Sequence, residues 1–167
     1  MRHKSPNSPA PTTSPSTTPS EGETASSAAA VVLRKYFATV DLLRQDPKRP
    51  ASELNAVAAS TELMAQKNLL KSQRGDGMRQ VGDTKLVELE VESVSLDKPA
   101  TAIIDVCWDV SDVDVRDADG KSVVTAERKD VGWTRFTVTN KKWPTAPADG
   151  WRVSGGSDLE REPCVGS

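Results

Sequence analysis

Residues 85–110 read KLVELEVESVSLDKPATAIIDVCWDV, and this stretch predicts two antiparallel β-strands joined by a turn. Within Val87–Val91 apolar residues alternate with glutamates, so one side of the strand is apolar and the other acidic. The alternation slips between Val91 and Val94, which indicates a β-bulge or a bend in a long strand. Asp97–Pro99 has the composition of a turn. The apolar face of the second strand then comprises Ala102, Ile104, Val106, Trp108 and Val110.

The sequence after this pair predicts a continuing antiparallel sheet. Asp119-Gly120 and Asp149-Gly150 are turn signals between runs rich in β-forming residues. The predicted strands are Val123–Glu127, Val131–Thr139 and Trp151–Ser154. The sheet therefore occupies the second half of the chain.

The residues before this sheet predict three helices. Ser26 or Ser27 can cap the first, which ends at Asp46-Pro47. Its apolar stripe is Val32, Leu33, Tyr36, Phe37, Val40 and Leu43, with Arg34, Lys35, Asp41 and Arg44 mostly on other faces. A short second helix is predicted over Ser52–Ala59. A third, capped by Ser60 or Thr61, ends at Gly75 and Gly77. Helices followed by an antiparallel sheet indicate an α+β fold.

The N-terminal segment has a different composition. From Ser5 to Ser20 only Asn7 and Ala10 interrupt a run of Ser, Thr and Pro, with no large apolar side chain to bury. We therefore predict a disordered linker over residues 1–27 and a single α+β domain over 28–167. The linker is interpreted as a stalk that tethers the domain, the alternative being an arbitrary disordered terminus.

Composition and charge argue against some classes of function and indicate the compartment in which the protein is found. The chain has 22 Lys and Arg against 24 Asp and Glu, a net charge of −2, so no basic surface points to nucleic acid. No apolar run is long enough to span a bilayer, and no apolar segment follows the charged start to form a signal peptide. Either the protein is cytosolic or its export signal has been removed, and the stalk and the cysteines favour removal. We therefore expect an extracellular or cell-envelope protein.

The chain has two cysteines, Cys107 in a predicted strand and Cys164 near the end. An even count, with one cysteine securing a terminus that would otherwise fray, predicts a disulfide formed in an oxidising compartment. Two separate buried thiols are the alternative. The spacing excludes a Cys-x-x-Cys redox centre.

The order of elements resembles the nuclear-transport-factor-2-like fold, in which three N-terminal helices close a curved antiparallel sheet into a cone. It is most similar to exported actinobacterial versions, often lipoproteins. The matching residues are Pro99-Ala100, Cys107-Trp108-Asp109, Asp119-Gly120, Gly150-Trp151-Arg152-Val153 and Cys164. The lipid-bearing cysteine near the start of such lipoproteins is absent, so a membrane association would require an N-terminal anchor missing from this sequence. Proteins of this fold have many functions, so the fold does not assign one.

The residue types exclude several chemistries. The only histidine, His3, lies in the linker, which removes Ser–His and Cys–His catalysis and His-based zinc sites from the domain. No Gly-rich phosphate loop is present, and we expect no cofactor. A calcium loop starting at Asp112 fails because Arg116 occupies an acidic position and no glutamate closes the loop. We therefore expect no metal.

Some relatives of the resembled fold activate water with a buried aspartate pair oriented by an arginine. The matching parts here are Asp41, Asp105, Asp109 and Arg135, with Tyr36 as a possible donor. The alternative is structural: Asp41 would cap or pair at a surface, and Arg135 would cross a strand to an acid.

Four tryptophans dominate the aromatic residues. Trp108, Trp133 and Trp151 share faces with apolar strand residues and are predicted core. Trp143 lies in the polar loop Lys141, Lys142, Trp143, Pro144, where an aromatic beside two cations could contact a partner. The alternative is that Trp143 folds back onto the sheet.

These observations predict a non-catalytic exported or envelope-tethered binding module. Its ligand would be a protein, a glycan or a small apolar molecule held in the cone. The alternative function is a small histidine-independent hydrolase or isomerase that uses the aspartates. A cavity containing paired carboxylates would favour the enzyme.

Overall fold

The computed structural model describes residues 8–14 and 17–164. The helices are α1 (Glu21–Gln45), the 3-10 helix η1 (Ala51–Ala56) and α2 (Ser60–Gly75). The strands are β1 (Arg79–Val81), β2 (Lys85–Ser95), β3 (Ala100–Asp109), β4 (Asp114–Arg116), β5 (Val131–Asn140) and β6 (Trp151–Leu159). The predicted α+β class, with helices packed on an antiparallel sheet, is confirmed.

Helix α1 begins earlier than the sequence predicted. Ser20 Oγ accepts a hydrogen bond from the Glu23 N–H at 3.1 Å, and the Glu23 carboxylate accepts one from the Ser20 N–H at 3.3 Å. This capping box stabilises the first turn. Ser26, predicted as a cap, instead lies inside the helix and donates to the Gly22 carbonyl. Ala25 is fully buried, so the helix and its core begin ahead of the predicted boundary at residue 27. Residues 1–7 and 15–16 of the predicted linker lie outside the described residues.

The segment between the helices joins the sheet edge. The Ala59 N–H donates to the Val153 carbonyl at 2.9 Å, and the Val153 N–H donates to the Val57 carbonyl at 2.8 Å. Helix α2 has no side-chain cap, because its N-cap residue is Ala59 and the predicted caps Ser60 and Thr61 lie inside the helix; Thr61 Oγ1 donates to the Ser154 carbonyl. Neither helix has an apolar run long enough to cross a membrane among the residues that the structure describes.

The main sheet has the strand order β2-β3-β5-β6, with every pair antiparallel. The bulge predicted near Val91 is confirmed, and a second lies between Leu86 and Glu88. The two bulges shift the phase of β2, so Leu86 and Leu89 pack against the core while Val91 is 40% exposed. The simple alternation of Val87, Leu89 and Val91 was therefore only partly right.

Strands β1 and β4 form a separate two-stranded sheet. The strand predicted over Val123–Glu127 is wrong: that segment has no strand, and only a single bridge, Arg116 to Ser122, precedes it. The segment is held from its far end, where Arg128 donates to the Val110 and Val113 carbonyls at 3.0 and 2.7 Å. A backbone hydrogen bond, from the Val123 N–H to the Val115 carbonyl at 2.8 Å, and the Arg128 side chain therefore hold this segment without a strand ladder.

The two faces of the main sheet are covered differently. The inner face, on which Ala102, Ile104, Val106 and Trp108 of β3 lie, packs under α1. The outer face carries the alternate residues of β3, Ile103, Asp105 and Cys107. Most of the apolar core lies between α1 and the inner face of the sheet. Its buried side chains include Leu33 and Tyr36 of α1 and Phe136, Val138, Trp151 and Val153 of the sheet.

The outer face is crossed by residues 160–164, which we call the C-terminal strap. Cys164 in the strap forms a disulfide with the fully buried Cys107, as predicted. The Trp133 indole donates to the Glu162 carbonyl at 3.0 Å, and the Arg161 guanidinium lies 3.7 Å from the centre of the Trp133 ring. The strap thus buries Trp133. Such a disulfide is typical of an oxidising, non-cytoplasmic compartment.

Candidate functional site

A pocket of about 480 Å³ lies between the helices and the inner face of the sheet. Cavities of roughly 300–1,000 Å³ are typical of small-molecule sites. Helix α1 contributes Phe37 and Arg44, and α2 contributes Glu62. The sheet contributes Trp108 and Phe136. The helical wall of the pocket therefore combines apolar side chains such as Phe37 with the charged Arg44 and Glu62, and the sheet provides an aromatic wall.

Three aromatic rings pack edge to face beside the pocket. The ring centres of Phe37 and Phe136 are 5.5 Å apart, and those of Tyr36 and Phe136 are 5.9 Å apart. Edge-to-face packing at this spacing is favourable for aromatic rings. Tyr36 and Phe37 lie on the helical stripe predicted from the sequence, and β5 supplies Phe136. The apolar stripe of α1 therefore forms part of the core and part of the pocket wall.

Trp108 is held in one position on the sheet. A Cβ placed at Gly132 would lie 2.7 Å from the Trp108 ring, so only a glycine leaves room for the indole. The indole N–H donates to Thr134 Oγ1 at 2.9 Å, and Thr134 Oγ1 donates to Asp158 Oδ1 at 2.9 Å. Trp108 was predicted to be core, but it is only half-buried and lines the pocket. It provides a preformed apolar surface.

The helical wall carries a connected set of polar groups. Glu62 accepts a hydrogen bond from the Tyr36 hydroxyl and another from Gln66 Nε2 at 3.0 Å. Arg44 Nη2 donates to Gln66 Oε1 at 3.0 Å. Burial, and then the hydrogen bond to Glu62, raise the pKa of Tyr36 far above its usual range. Burial lowers the pKa of Arg44, although a guanidinium keeps its proton at neutral pH.

Asp41 is among the residues that line the pocket, but its carboxylate is hydrogen-bonded within the protein. It is 6% exposed, and its carboxylate accepts hydrogen bonds from Gln80 Nε2 at 2.7 Å, the Thr84 N–H at 2.8 Å and Thr84 Oγ1 at 2.9 Å. These bonds tie α1 to the start of the sheet. The expectation that Asp41 caps or pairs at a surface was wrong. Its burial follows from its position on the same helical face as Phe37.

Asp105 and Arg135 lie on the outer face. Arg135 donates to both carboxylate oxygens of Asp105, at 2.7 and 2.8 Å, which confirms that Arg135 crosses a strand to an acid. Hydrogen bonding to Asp105 raises the pKa of Arg135. Carboxylate oxygens of Glu90, Glu92 and Asp105 lie within 4.8 Å of one another, a set that could in principle hold a metal ion. Arg135 on Asp105 and Arg161 on Glu90 already provide the positive charge there.

Asp109 lies at the end of β3 and is solvent-accessible. Its hydrogen bonds with Ser111 lower its pKa. Of the predicted acid/base residues the structure therefore brings only Asp105 and Arg135 together. Asp41 is on the inner side of the sheet, and Asp109 does not line the pocket.

The predicted contact loop is only partly presented to solvent. Lys141, Lys142 and Pro144 are exposed, but Trp143 is half-buried. Its ring centre lies 6.1 Å from that of Trp151, and it packs against the main core. Trp143 therefore folds back onto the sheet, which was the alternative interpretation of this loop.

The sequence analysis did not predict most of the residues that line the pocket, among them Arg44, Glu62, Gln66, Trp108, Thr134 and Asp158. One signal was present in α1: Tyr36, Val40 and Arg44 are spaced by four residues, which places the arginine on the apolar stripe. The others lie on different elements, and their proximity depends on packing.

No protein-family model matches this chain, and no curated protein matches it. The structure is similar to a crystal structure of the intermembrane-space region of the chloroplast protein ARC6. The TM-score is 0.56 at 20% sequence identity, and the match covers 80% of this chain and 95% of that chain. At this identity the likeness shows a shared fold and assigns no function.

Proposed function

We propose that this domain is a non-catalytic binding module of an exported or envelope-tethered protein, and that the pocket holds an apolar ligand. One observation carries the proposal. The pocket has a preformed aromatic wall, whereas its carboxylates already accept hydrogen bonds from the protein. A small number of placed polar groups on a mainly apolar surface is typical of ligand sites.

The state of the carboxylates supports binding over catalysis. A general base must accept the proton of a substrate, directly or through one water. Asp41 already accepts three hydrogen bonds and Glu62 accepts two. Asp158 accepts one from Thr134 and is exposed. Each described carboxylate that lines the pocket thus accepts at least one hydrogen bond from the protein, which weighs against the hydrolase or isomerase alternative.

Two further parts of the proposal concern family and location. The three helical segments over an antiparallel sheet with bulges support the nuclear-transport-factor-2-like resemblance, in which the pocket would be the interior of the cone. The disulfide supports an extracellular or envelope location, because disulfides persist in oxidising compartments. The Ser/Thr/Pro-rich segment ahead of α1 would serve as the spacer.

The test is the binding of a neutral fluorescent probe, N-phenyl-1-naphthylamine, to the full chain. Val40 lines the pocket, so Val40→Trp should fill part of it and weaken probe binding at least about tenfold, the equivalent of about 1.4 kcal/mol. Val31→Trp is the matched control, because Val31 is on the same helix, is 52% exposed and does not line this pocket. Absence of probe binding, or equal binding by both variants, would refute the pocket as the site.

A further inference from the structure

We propose that the natural ligand carries a single carboxylate on its apolar body, and that Arg44 binds that carboxylate. This inference rests on the proposed function, since it assigns the ligand class of the same pocket. It follows from the hydrogen-bonding state of the charged groups that line the pocket.

Arg44 has unused hydrogen-bonding capacity. A guanidinium has five N–H donors. In the described part of the chain Arg44 makes one side-chain hydrogen bond, from Nη2 to Gln66, and no salt bridge within 4.0 Å. Its side chain is half-buried on the pocket wall. A partly buried guanidinium with free donors is a suitable partner for a carboxylate, which it can bind through two parallel hydrogen bonds.

Arg135 shows what a paired arginine looks like in the same domain. Arg135 gives Nε and Nη2 to the two oxygens of Asp105. Arg44 has no such carboxylate partner, although Asp41 and Glu62 are near enough to favour its charged form. Neither acid lies within 4.0 Å of the guanidinium: Asp41 accepts from Gln80 and Thr84 through both of its oxygens, and Glu62 accepts from Tyr36 and Gln66 through Oε1. The bidentate position on Arg44 is therefore open to a ligand.

The other charged residues that line the pocket are Asp41, Glu62, Lys129 and Asp158. Lys129 and Asp158 line the sheet side with opposite signs, and both are exposed. Exposed charges are screened by water and salt, so their effect on a bound ligand is smaller than that of the half-buried Arg44. An ammonium ligand could use Glu62 Oε2, which accepts no hydrogen bond from the described residues, or Asp158 or the aromatic faces, and the experiment below includes that case.

The aromatic wall suits the remainder of the ligand. Trp108 is fixed by Gly132 and Thr134, and Phe136 is fixed by its neighbouring rings. An alkyl or aromatic body can lie on this surface without reorganising it, which reduces the cost of binding. A monocarboxylate with such a body can contact the aromatic wall with its apolar part and Arg44 with its carboxylate.

The experiment compares three probes of equal chain length: decanoate, decylamine and decanol, each displacing N-phenyl-1-naphthylamine from the full chain at neutral pH and below its aggregation concentration. We expect decanoate to bind most tightly. Arg44→Gln should weaken decanoate by about tenfold or more, the range of a hydrogen bond to a charged group, and leave decanol within about twofold. Arg34→Gln, an exposed arginine on the same helix, is the matched control and should change neither.

The outcomes separate the two proposals. If none of the probes binds the unmodified protein, the proposed function fails. If decanol or decylamine binds as tightly as decanoate, the pocket stands and the carboxylate assignment is overturned. The comparison of head groups in the unmodified protein does not depend on any variant folding. Equal loss of decanoate and decanol in a folded Arg44→Gln protein would also overturn the assignment.

Discussion

The inner and outer faces of the same four strands are stabilised in different ways. The inner face packs apolar side chains under α1 and leaves a pocket, with its polar groups tied to one another. The outer face has ion pairs, a disulfide and the C-terminal strap over Trp133. Alternate residues of one strand, such as Ile104 and Asp105, therefore serve different purposes. We infer that changes on the outer face alter stability and leave ligand binding intact, whereas changes on the inner face can alter both.

The largest expected effect is on the outer face. Replacing both Cys107 and Cys164 with alanine opens a link with a sequence separation of 57. The chain-entropy model assigns such a link about 4 kcal/mol of unfolding free energy. Denaturant titration should show a loss approaching this value, and dithiol reduction of the unmodified protein should reproduce it. Probe binding by the folded variant should be unchanged; loss of binding would mean that the two faces are coupled.

The next largest loss of stability is expected at the edge of the core on the inner face of the sheet. Trp143 is half-buried against Trp151, so Trp143→Ala should lower the unfolding free energy by about 2 kcal/mol, roughly half the cost of truncating a fully buried large aromatic residue. Lys141→Ala, in the same loop and exposed, is the control and should have little effect. If Trp143→Ala is as stable as the unmodified protein, the ring does not pack as described, and the loop becomes available as a contact surface.

A smaller effect should come from the pocket wall and should depend on pH. Tyr36→Phe removes the hydrogen bond to Glu62 and should cost about 1 kcal/mol at neutral pH. Because the folded state raises the pKa of Tyr36, this stabilisation is fully present below the unfolded pKa of about 10 and declines as pH rises above it. Above that pH the unfolded chain loses the proton first, so unfolding becomes easier.

The chain has one tyrosine, so this titration can be followed directly by absorbance at 295 nm. The absorbance change should coincide with alkaline unfolding and should not precede it. Urea titrations at pH 7 and above pH 10 should show a steeper loss of stability for the unmodified protein than for Tyr36→Phe. Ionisation near pH 10 in a folded protein would contradict the burial of the hydroxyl.

The smallest effect is expected for Arg161 on the strap. Its ion pair with Glu90 is solvent-accessible, and exposed pairs contribute little to stability. Arg161→Gln should therefore leave the thermal midpoint close to that of the unmodified protein, with Arg128→Gln as a comparison in which two backbone carbonyls lose their donor. A loss as large as that of Trp143→Ala would show that Arg161 is needed to hold the strap over Trp133.

Much of the fold could be predicted from local patterns. The change from helical to two-residue periodicity near residue 85 predicted the order of helices and sheet, because each period follows from backbone geometry alone. The bulge near Val91 was visible as a slip in that period. The start of α1 was missed because the glutamates after Ser20 were assigned to the polar linker, although they complete a capping box and precede the small buried side chain of Ala25.

The sequence by itself determined the α+β class and the absence of a histidine after the linker, and it predicted the disulfide that the structure confirms. Only the tertiary structure decided which charged groups meet. Asp105 meets Arg135 because β3 and β5 pair in that register, and Asp41 is enclosed because Gln80 and Thr84 pack against α1. Arg44 was left without a carboxylate partner by the same packing. Periodicity describes one segment at a time, whereas a site depends on distances between segments that only folding sets.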